Sequence, residues 1–218
     1  MDKKGIIVVS GGVDSITLLY DKREEIALAL TFRYGSNHQD KEVPCAVYHC
    51  QKLGIPHKVI DLDFVRSMQS SLLQGAEAIP TGAYEENNMK STVVPFRNGV
   101  MLAIAAAFAE DRGLSKVFIA NHFGDHAIYP DCTSAFIKGM NEAMYQGTYN
   151  KVEVSAPYTG KSKAEIVAIG SALGVEYEHT WSCYKGLELP CGVCATCRER
   201  IEAFERNGLI DPLRYQEP

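Results

Sequence analysis

A short glycine-rich stretch near the N-terminus has the residue types of an anion-binding loop. The sequence S-G-G-V-D-S occupies residues 10–15 and follows an apolar run over residues 6–9. Backbone N–H groups in a glycine turn, followed by the N-terminus of a helix, bind anions through direct hydrogen bonds and the helix dipole. The hydroxyls of Ser10 and Ser15 add two further donors. We therefore expect this turn to form a phosphate cradle.

The cradle lacks the lysine with which a Walker loop reaches the terminal phosphate of a nucleotide. It does not fit the G-x-G-x-x-G pattern of a Rossmann turn either. Asp14 places a carboxylate beside the expected anion, where it would cap the helix or hold Mg²⁺ against the phosphates. The spacing alone leaves open a tight turn with a helix cap and no ligand.

Four of the seven cysteines lie close together near the C-terminus, with the spacing C-x7-C-x2-C-x2-C: Cys183, Cys191, Cys194 and Cys197. Four thiolates this close can surround one tetrahedral ion, and zinc is the usual occupant of a closed all-sulfur site. The C-x2-C-x2-C part also occurs in ferredoxin-type iron–sulfur sequences. In a chain without a secretory signal, such a group indicates metal binding rather than disulfides.

The elements that position these residues alternate between strands and helices. Apolar, β-branched runs predict strands over residues 5–10, 25–32, 57–63, 116–122 and 151–157, and helical patterns predict helices over residues 14–21, 39–53, 97–112, 134–146 and 162–173. The last helix opens with the capping box Ser162-x-x-Glu165 and stops at Gly174. The alternation predicts an α/β fold, a Rossmann-like parallel sheet with helices on both faces and ligands at its carboxyl edge. The polar residues 70–92 are expected to form a lid or a disordered segment.

Composition and charge limit the class of protein. The chain has 218 residues, 46% of them hydrophobic, and a formal net charge of −5. The longest apolar run, residues 99–109, is shorter than the roughly 20 residues that cross a bilayer. No signal peptide is visible, so we expect a cytoplasmic protein without membrane contact. The acidic charge gives no reason to expect binding to nucleic acid.

The S-G-G-V-D-S turn after an N-terminal strand resembles the PP-loop of the ATP pyrophosphatase superfamily. In that superfamily the loop holds the β- and γ-phosphates of ATP, which leave as pyrophosphate while the α-phosphate is attacked. The resemblance implies an adenine nucleotide alpha hydrolase-like fold and ATP with Mg²⁺ as cofactor. It makes Asp14 and Ser15 catalytic candidates. The implied ATP-binding residues are Val9, Ser10, Gly11, Gly12, Val13, Asp14, Ser15, Ile16, Thr17, Leu18 and Leu19.

Three further stretches narrow the resemblance: STVVPFRNGVML at residues 91–102, IYPDCTSAFIKGMNEAM at 128–144 and SKAEIVAIGSALGVEYEHTWSCYKG at 162–186. With the PP-loop and the four cysteines, in this order, the chain from residue 6 to about residue 212 resembles the 7-cyano-7-deazaguanine synthases of the queuosine pathway. It departs from that family where Phe96 replaces the glycine of V-P-G-R-N, and where HAIYPDCT replaces SGYPDCR.

The family resemblance implies an ATP-dependent ligase that converts 7-carboxy-7-deazaguanine and ammonia to 7-cyano-7-deazaguanine through an adenylate and an amide. Hydroxide is a poor leaving group and AMP a good one, so each carboxylate oxygen needs its own activation. No enzyme residue need become covalently attached, and positioning and charge neutralisation carry the catalysis. The expected partners are these small molecules and a second copy of the chain in a homodimer. The chain has no room for a glutaminase domain, so ammonia arrives free or from a partner.

Four residues are substrate-site candidates in this reading. Arg97 is expected to stabilise the substrate carboxylate or a phosphate and is a catalytic candidate. Asn98, Tyr129 and Asp131 are expected to contact the substrate. The alternatives are a surface arginine at a helix start and a Y-P-D turn in which Asp131 caps the next helix.

Other polar residues have less specific roles at this stage. Lys161 and Lys163 would reach phosphates or lie in a solvated helix start. His38, His122 and His126 are general-base candidates that no spacing supports.

The resemblance also favours one structural Zn²⁺ over an iron–sulfur cluster at the four cysteines. It divides the chain into a PP-loop adenylating domain, residues 1–180, and a C-terminal zinc-binding helical region, residues 181–218. Two other functions stay open. Other PP-loop enzymes transfer sulfur to tRNA, and Cys132 would be the nucleophilic thiol. A zinc-ribbon interaction module would explain the cysteines but leave the cradle unexplained.

Overall fold

The chain folds around one five-stranded parallel sheet. The computed structural model describes residues 4–74, 90–122 and 129–216. The strands are β1 (Gly5–Val8), β2 (Ile26–Arg33), β3 (His57–Asp61), β4 (Lys116–Phe118) and β5 (Glu153–Ser155). Their order across the sheet is β3-β2-β1-β4-β5, and every neighbouring pair is parallel. The strand order reverses beside β1, so the turn that follows β1 opens at the switch point where open α/β sheets bind ligands.

Six helices of the described residues connect and cover the strands. They are α1 (Val13–Asp21), α2 (Gln39–Lys52), α3 (Arg97–Asp111), α4 (Ser134–Gly147), α5 (Lys163–Ala172) and α6 (Ala195–Glu205). Short 3-10 turns occupy Asp63–Ser67, Lys90–Thr92, Pro130–Cys132 and Tyr177–His179.

Both faces of the sheet are buried, because successive side chains of a strand point to opposite faces. Ile7 of β1 belongs to a core cluster with side chains of α1, α2, α5 and α6, among them Ile16 and Phe204. Its neighbour Ile6 belongs to a second cluster with side chains of α3 and α4, among them Leu102 and Met144. The helices therefore lie on both faces, as the strand–helix alternation predicts.

The predicted elements are confirmed, with shorter strands at the ligand edge. β4 ends at Phe118 rather than His122. One more ladder bond follows, from the Ile119 N–H to the Ser155 carbonyl at 3.0 Å. Asn121 and His122 then turn their side chains into a cavity, so residues that read as strand form part of the site. The Ser162–Glu165 capping box is confirmed at the start of α5.

The two ends of the predicted loop at residues 70–92 lie against each other. The Ser71 N–H donates to the Ser91 carbonyl at 2.7 Å, and Leu73 pairs with Ser36 in an isolated antiparallel bridge. Residues 75–89 lie outside the described residues, so a lid stays a prediction. The general-base candidate His126 also lies outside them.

The C-terminal region contributes to two separate clusters. The four grouped cysteines pack with Trp181, Cys45 and Tyr215. Ala203 and Phe204 of α6 pack into the core beside α1 and α5. The domain boundary at residue 180 stays a prediction.

By length and composition alone, the stretch Lys90–Asp111 meets the requirements of a membrane span, but half of it is buried inside the protein. Its helix α3 packs against β1 and β4. Its apolar character therefore matches its place in the core.

Phe96, immediately before α3, has a backbone conformation that favours glycine. Its φ is 52° and its ψ 28°, in the left-handed region that costs a residue with a Cβ atom roughly 1–2 kcal/mol. The ring is 59% exposed and packs edge-on against Phe136, with the ring centroids 5.8 Å apart. Glycine, which the resemblance leads us to expect at this position, adopts this backbone without strain.

We expect Phe96→Gly to leave the protein about 1 kcal/mol more stable than Phe96→Ala. Both variants lose the ring, and only glycine adopts the left-handed backbone without strain. Urea unfolding of the two variants measures the difference. Equal midpoints would show that the backbone at this position relaxes in the variants.

Candidate active site

A cavity opens at the carboxyl edge of the sheet, over the end of β1. Its volume is about 220 Å³, and its walls come from β1, β2, α1, α2, α3, α5, α6 and the segments that follow β4 and precede α6. The lining includes the predicted candidates Val9, Ser10, Gly12, Val13, Asp14, Ser15, Arg97, Asn98, Tyr129, His38, His122 and Lys163. The cradle and most of the polar candidates therefore share one cavity.

The cradle keeps its shape through its own hydroxyls. Ser15 Oγ accepts hydrogen bonds from the Ser10 N–H at 3.2 Å and the Gly11 N–H at 3.4 Å. Ser10 Oγ accepts from the Gly12 N–H at 3.2 Å. Gly12 is the N-cap of α1 and has no side chain to occupy the helix N-terminus. The turn thus gathers backbone N–H groups, two hydroxyls and the N-terminus of a helix at one place. A phosphate bound there would take over hydrogen bonds that the two hydroxyls now receive.

Gly11 is the position at which the cradle tolerates no side chain. Its φ is +103°, and an added Cβ would lie 2.1 Å from the carbonyl oxygen of Glu42. Its own carbonyl accepts a hydrogen bond from the Trp181 N–H at 3.0 Å. The cradle is therefore held between α2 and the segment that leads to the cysteines.

Asp14 belongs to a cluster of four charged or titratable side chains on one side of the cavity. Its Oδ2 lies 2.5 Å from Lys163 Nζ and 3.8 Å from His122 Nε2. Glu199 of α6 completes the cluster, with Oε2 3.6 Å from Lys163 Nζ and Oε1 3.8 Å from His122 Nε2. The cluster combines two carboxylates with one or two cations beside the cradle.

Asp14 is ionised, and one of its oxygens is unused. Burial acts to raise the pKa of Asp14, but Lys163 and His122 act more strongly together, and the net effect lowers it. Oδ1 is buried and has no hydrogen-bond partner among the described residues. A buried carboxylate oxygen without a donor fits a hard cation that is coordinated by oxygen ligands, such as Mg²⁺.

Arg97 supplies positive charge on another wall of the cavity. Its Nη1 donates to the Tyr34 hydroxyl at 3.0 Å, and the guanidinium lies 5.6 Å from the centre of that ring. Tyr34 and Asp131 raise the pKa of Arg97 above its ordinary value despite the opposing effect of burial. The side chain is charged and half-buried and lines the cavity, which disagrees with the alternative of a surface arginine at a helix start.

Asp131 has a structural role that differs from the predicted alternative. Its Oδ2 accepts a hydrogen bond from the Asn98 backbone N–H at 2.8 Å, which caps the first turn of α3. The next helix, α4, is capped by Thr133, whose Oγ1 accepts from the Phe136 N–H at 3.2 Å. The expectation that a structural Asp131 caps the following helix was wrong, because Thr133 is the residue directly before α4. Contact of Asp131 with the substrate stays a prediction.

Tyr129 lies in a row of hydroxyls on the cavity wall. Its hydroxyl is 3.0 Å from Thr92 Oγ1 and 3.2 Å from the Tyr184 hydroxyl. Asn98 Nδ2 donates to the Asp131 carbonyl and to Cys132 Sγ, both at 3.2 Å. These groups are donors and acceptors that a planar polar ligand can use.

Some predicted cradle residues point away from the cavity. Ile16, Leu18 and Leu19 are fully buried in the core, and Thr17 Oγ1 pairs with the Tyr177 hydroxyl at 2.8 Å. The side chains of these four residues support α1 from behind, and a direct role in binding ATP stays a prediction.

Two carboxylates of the cavity were not among the residues predicted from the sequence. Glu42 of α2 and Glu199 of α6 both line it. The spacing of four between His38 and Glu42 indicates that they share a helix face, but it does not place that face at the cavity. No such signal exists for Glu199, because a spacing of two from Cys197 puts the two side chains on different faces of a helix.

The four grouped cysteines form a buried cluster beside the cavity. Their Sγ atoms lie within 4.8 Å of one another. Hydrogen bonds from the Cys183 and Cys197 thiols lower the pKa of Cys194 despite its burial, so one thiolate is already stabilised. Four inward sulfur atoms at this distance fit a single metal ion, whose binding deprotonates the remaining thiols.

Comparison with known proteins identifies a family. The family described as "Queuosine biosynthesis protein QueC" matches residues 4–208. A 7-cyano-7-deazaguanine synthase of Porphyromonas gingivalis is 56% identical over 216 residues, 99% of this chain and 98% of that protein. A protein of the same name from Desulfotalea psychrophila is 47% identical over 213 residues, 96% of this chain and 97% of its own length.

The fold is similar to that of a solved structure of NMN synthetase from Francisella tularensis. The TM-score is 0.55 at 14% sequence identity, covering 95% of this chain and 78% of that one. At this identity the similarity concerns the fold alone, and it agrees with the parallel sheet and helices described above.

We expect the purified chain to contain one metal ion per molecule and Cys194→Ser to lose it, because the remaining three thiolates no longer close the site. Thermal unfolding should occur at a lower temperature in this variant, since metal binding contributes to folding. Elemental analysis and a melting curve measure both effects.

Cys45→Ser is the matched control, since this cysteine packs against the cluster while its thiol donates to the Lys41 carbonyl. It should keep the metal. Stoichiometric metal in Cys194→Ser, or equal loss in the control, would contradict the four-cysteine site.

Proposed function

This chain belongs to the QueC family of queuosine biosynthesis proteins, and we propose that it catalyses the reaction for which its 7-cyano-7-deazaguanine synthase relatives are named. It is an ATP-dependent carbon–nitrogen ligase. It converts 7-carboxy-7-deazaguanine and ammonia to 7-cyano-7-deazaguanine through an adenylate and an amide. The observation that carries the proposal is the lysine-free cradle, which shares one cavity with Asp14, Lys163 and Arg97.

The cradle without a lysine suits a phosphate group that leaves rather than one that is transferred. The backbone N–H groups, Ser10 and Ser15 bind the β- and γ-phosphates as a unit, and pyrophosphate departs when the substrate carboxylate attacks the α-phosphate. Lys163, held beside Asp14 at 2.5 Å, neutralises charge on the same phosphates. Neutralising developing negative charge with preorganised groups is the largest single source of catalysis in such reactions.

Mg²⁺ is part of the proposal. Asp14 would hold it through the buried oxygen that has no partner among the described residues, with Glu199 as the second carboxylate of the cluster. When bound, the ion adds positive charge against the phosphates and fixes their orientation.

Arg97 and its neighbours are proposed to bind the second substrate. The pocket must accept an acid in the first activation and a neutral amide in the second. The Arg97 guanidinium donates hydrogen bonds to either group, whereas a pure charge clamp would favour the acid. Asn98 would donate to the substrate in exchange for one of its present bonds to Asp131 and Cys132. Tyr129 is proposed to contact the polar edge of the base, and Asp131 to hold the N-terminus of α3 in place for Arg97 and Asn98.

The metal of the four-cysteine cluster is proposed to be a structural Zn²⁺. A closed set of four thiolates leaves no open position for a substrate. The cluster supports the site at a distance, because Trp181 contacts both the cysteines and the cradle.

Sulfur transfer to tRNA is the weaker alternative. Cys132 would have to attack as an accessible thiolate, but its side chain is only 4% exposed. The net charge of −5 also disfavours an RNA surface. We propose that the partners are small molecules and not nucleic acid.

A cytoplasmic homodimer completes the proposal. Several apolar side chains of the C-terminal region are exposed, namely Leu187, Leu189, Val193 and Ile210. Exposed apolar groups on one region favour association between protein chains.

Incubation with ATP, ammonium and 7-carboxy-7-deazaguanine, followed by mass spectrometry, tests the proposal directly. The nitrile should form together with AMP and pyrophosphate, two of each per nitrile. Products with ADP, or no turnover of this acid by a folded, metal-loaded protein, would show that the function differs.

We expect Asp14→Asn to lower the rate of pyrophosphate formation by at least about 100-fold, because the amide cannot replace a charged ligand to the cation–phosphate complex. Asp21→Asn, at the far end of α1 and outside the cavity lining, should keep its activity. Release of pyrophosphate is the measurement. Wild-type turnover in Asp14→Asn would show that the turn has no catalytic role through Asp14.

The synthetic 7-amido compound should itself be a substrate, converted to the nitrile with ATP and without ammonia. One activation remains in that case, so AMP per nitrile should be half of that formed from the acid. Quantitation of AMP and nitrile in parallel reactions checks the ratio. An inert amide that accumulates from the acid as the final product would limit the enzyme to amide formation.

A further inference from the structure

Two hydrogen-bond acceptors converge on the α2 side of the cavity. Nδ1 of His38 lies 3.3 Å from the carbonyl oxygen of Tyr184. A carbonyl oxygen only accepts, so Nδ1 carries the imidazole proton and Nε2 of the neutral ring is an acceptor. That Nε2 lies 3.6 Å from Oε2 of Glu42. The two acceptors face the same small volume, and within the described part of the chain no hydrogen bond reaches the Glu42 carboxylate.

The electrostatic state of the pair agrees with its geometry. Burial lowers the pKa of His38 to about 4, so the ring is neutral. Burial raises the pKa of Glu42 to about 8, with Arg97 acting in the opposite direction. The titratable or charged groups that face Glu42 include His38 at the N-cap of α2, Cys45 on α2 and Arg97 on α3. Glu42 is therefore a carboxyl group that changes protonation near neutral pH.

The pair lies next to the place where the substrate is activated. The carbonyl of Glu42 packs against Gly11 of the cradle, and both Glu42 and His38 line the cavity. The group that attacks the adenylate must arrive within bonding distance of a carbon atom beside the cradle. The donor edge of a deazaguanine base lies at the opposite end of the bicyclic ring from the 7-substituent. We therefore expect the two acceptors to bind the small nitrogen donor of the reaction rather than the donor edge of the base.

We propose that Glu42 and His38 form the binding site for the ammonium ion and that Glu42 converts it to ammonia. The inference rests on the proposed function, because it concerns the nitrogen donor of that reaction. Ammonium offers N–H donors to both side chains at once, and its positive charge favours the ionised form of Glu42, which is the form that accepts a proton. At neutral pH ammonia is almost completely protonated to ammonium, which has no lone pair. A base must therefore remove a proton before the nitrogen can attack.

The proton and electron movements balance within the site. One N–H bond of ammonium breaks, its proton passes to Glu42 Oε2, and the electron pair stays on nitrogen. That pair forms the C–N bond to the adenylate carbon, while the C–O bond to AMP breaks and its electrons leave with AMP. The second proton, released from the attacking nitrogen, leaves on the phosphate of AMP. The amide is then ready for the second activation.

Glu42→Gln separates the ammonia step from the adenylation step. The glutamine is nearly isosteric, so the fold is kept, but it cannot accept a proton. We expect pyrophosphate exchange with 7-carboxy-7-deazaguanine, measured without ammonia, to stay within a few-fold of wild type. Amide and nitrile formation from ammonium should fall by about 100-fold or more, in the range of a lost general base. Glu42→Asp should recover part of the loss, and Asp40→Asn, an exposed acid on the same helix, should behave as wild type.

Hydroxylamine provides the second measurement, because it is largely uncharged at neutral pH and needs neither a cation site nor deprotonation before attack. Glu42→Gln should form the hydroxamate at nearly the wild-type rate. If Glu42→Gln lowered the rates of pyrophosphate exchange, hydroxamate formation and nitrile formation equally, Glu42 would act on the base or the phosphates, and the ammonium site would be wrong. An unchanged rate of the ammonia reaction in this variant would also overturn the ammonium site. Failure of the wild-type chain to exchange pyrophosphate with this acid would instead contradict the proposed function.

Discussion

The site depends on the close contact between Gly11 and the backbone of α2. At φ +103°, with the Glu42 carbonyl where a side chain would begin, the cradle can approach α2 only because Gly11 has no Cβ. The Trp181 N–H holds the same residue from the other side through its carbonyl. This double restraint fixes the N–H groups before any phosphate arrives, so ligand binding need not pay to order the loop. The cradle, α2 and the segment that leads to the cysteines are thus joined at Gly11.

The charged side chains of the cavity lie on different walls. The Asp14, Lys163 and Glu199 cluster lies beside the cradle, where the metal–phosphate complex is expected. Arg97 lies on the wall formed by α3, and the uncharged His38 lies at the N-cap of α2, near Glu42. Because the interior screens charges weakly, a single shared cluster would neutralise itself. The Asp14, Lys163 and Glu199 cluster thus stays separate from the Arg97 and Glu42 side of the cavity, and we propose that the two sides bind different ligands.

Most of the fold could be predicted from the sequence, and the site only in part. The strands and the cradle are local: β-branched runs, a glycine turn and four spaced cysteines are visible in the chain itself. Glu42 and Glu199 were missed because only the packing of α2 and α6 brings them to the cavity. The capping of α3 by Asp131 spans 33 residues, a distance over which sequence patterns carry no geometric information. Phe96 shows the same limit, since its left-handed backbone became apparent only with the structure.

Labelling both oxygens of the substrate carboxylate with ¹⁸O tests the central claim most directly. A cradle that binds pyrophosphate as a leaving group requires the carboxylate to attack the α-phosphate, so each removed oxygen must leave on AMP. Mass spectrometry should find one ¹⁸O atom in each AMP, and two labelled AMP molecules for each nitrile. Label in inorganic phosphate or in water, with unlabelled AMP or with ADP, would contradict activation through adenylates.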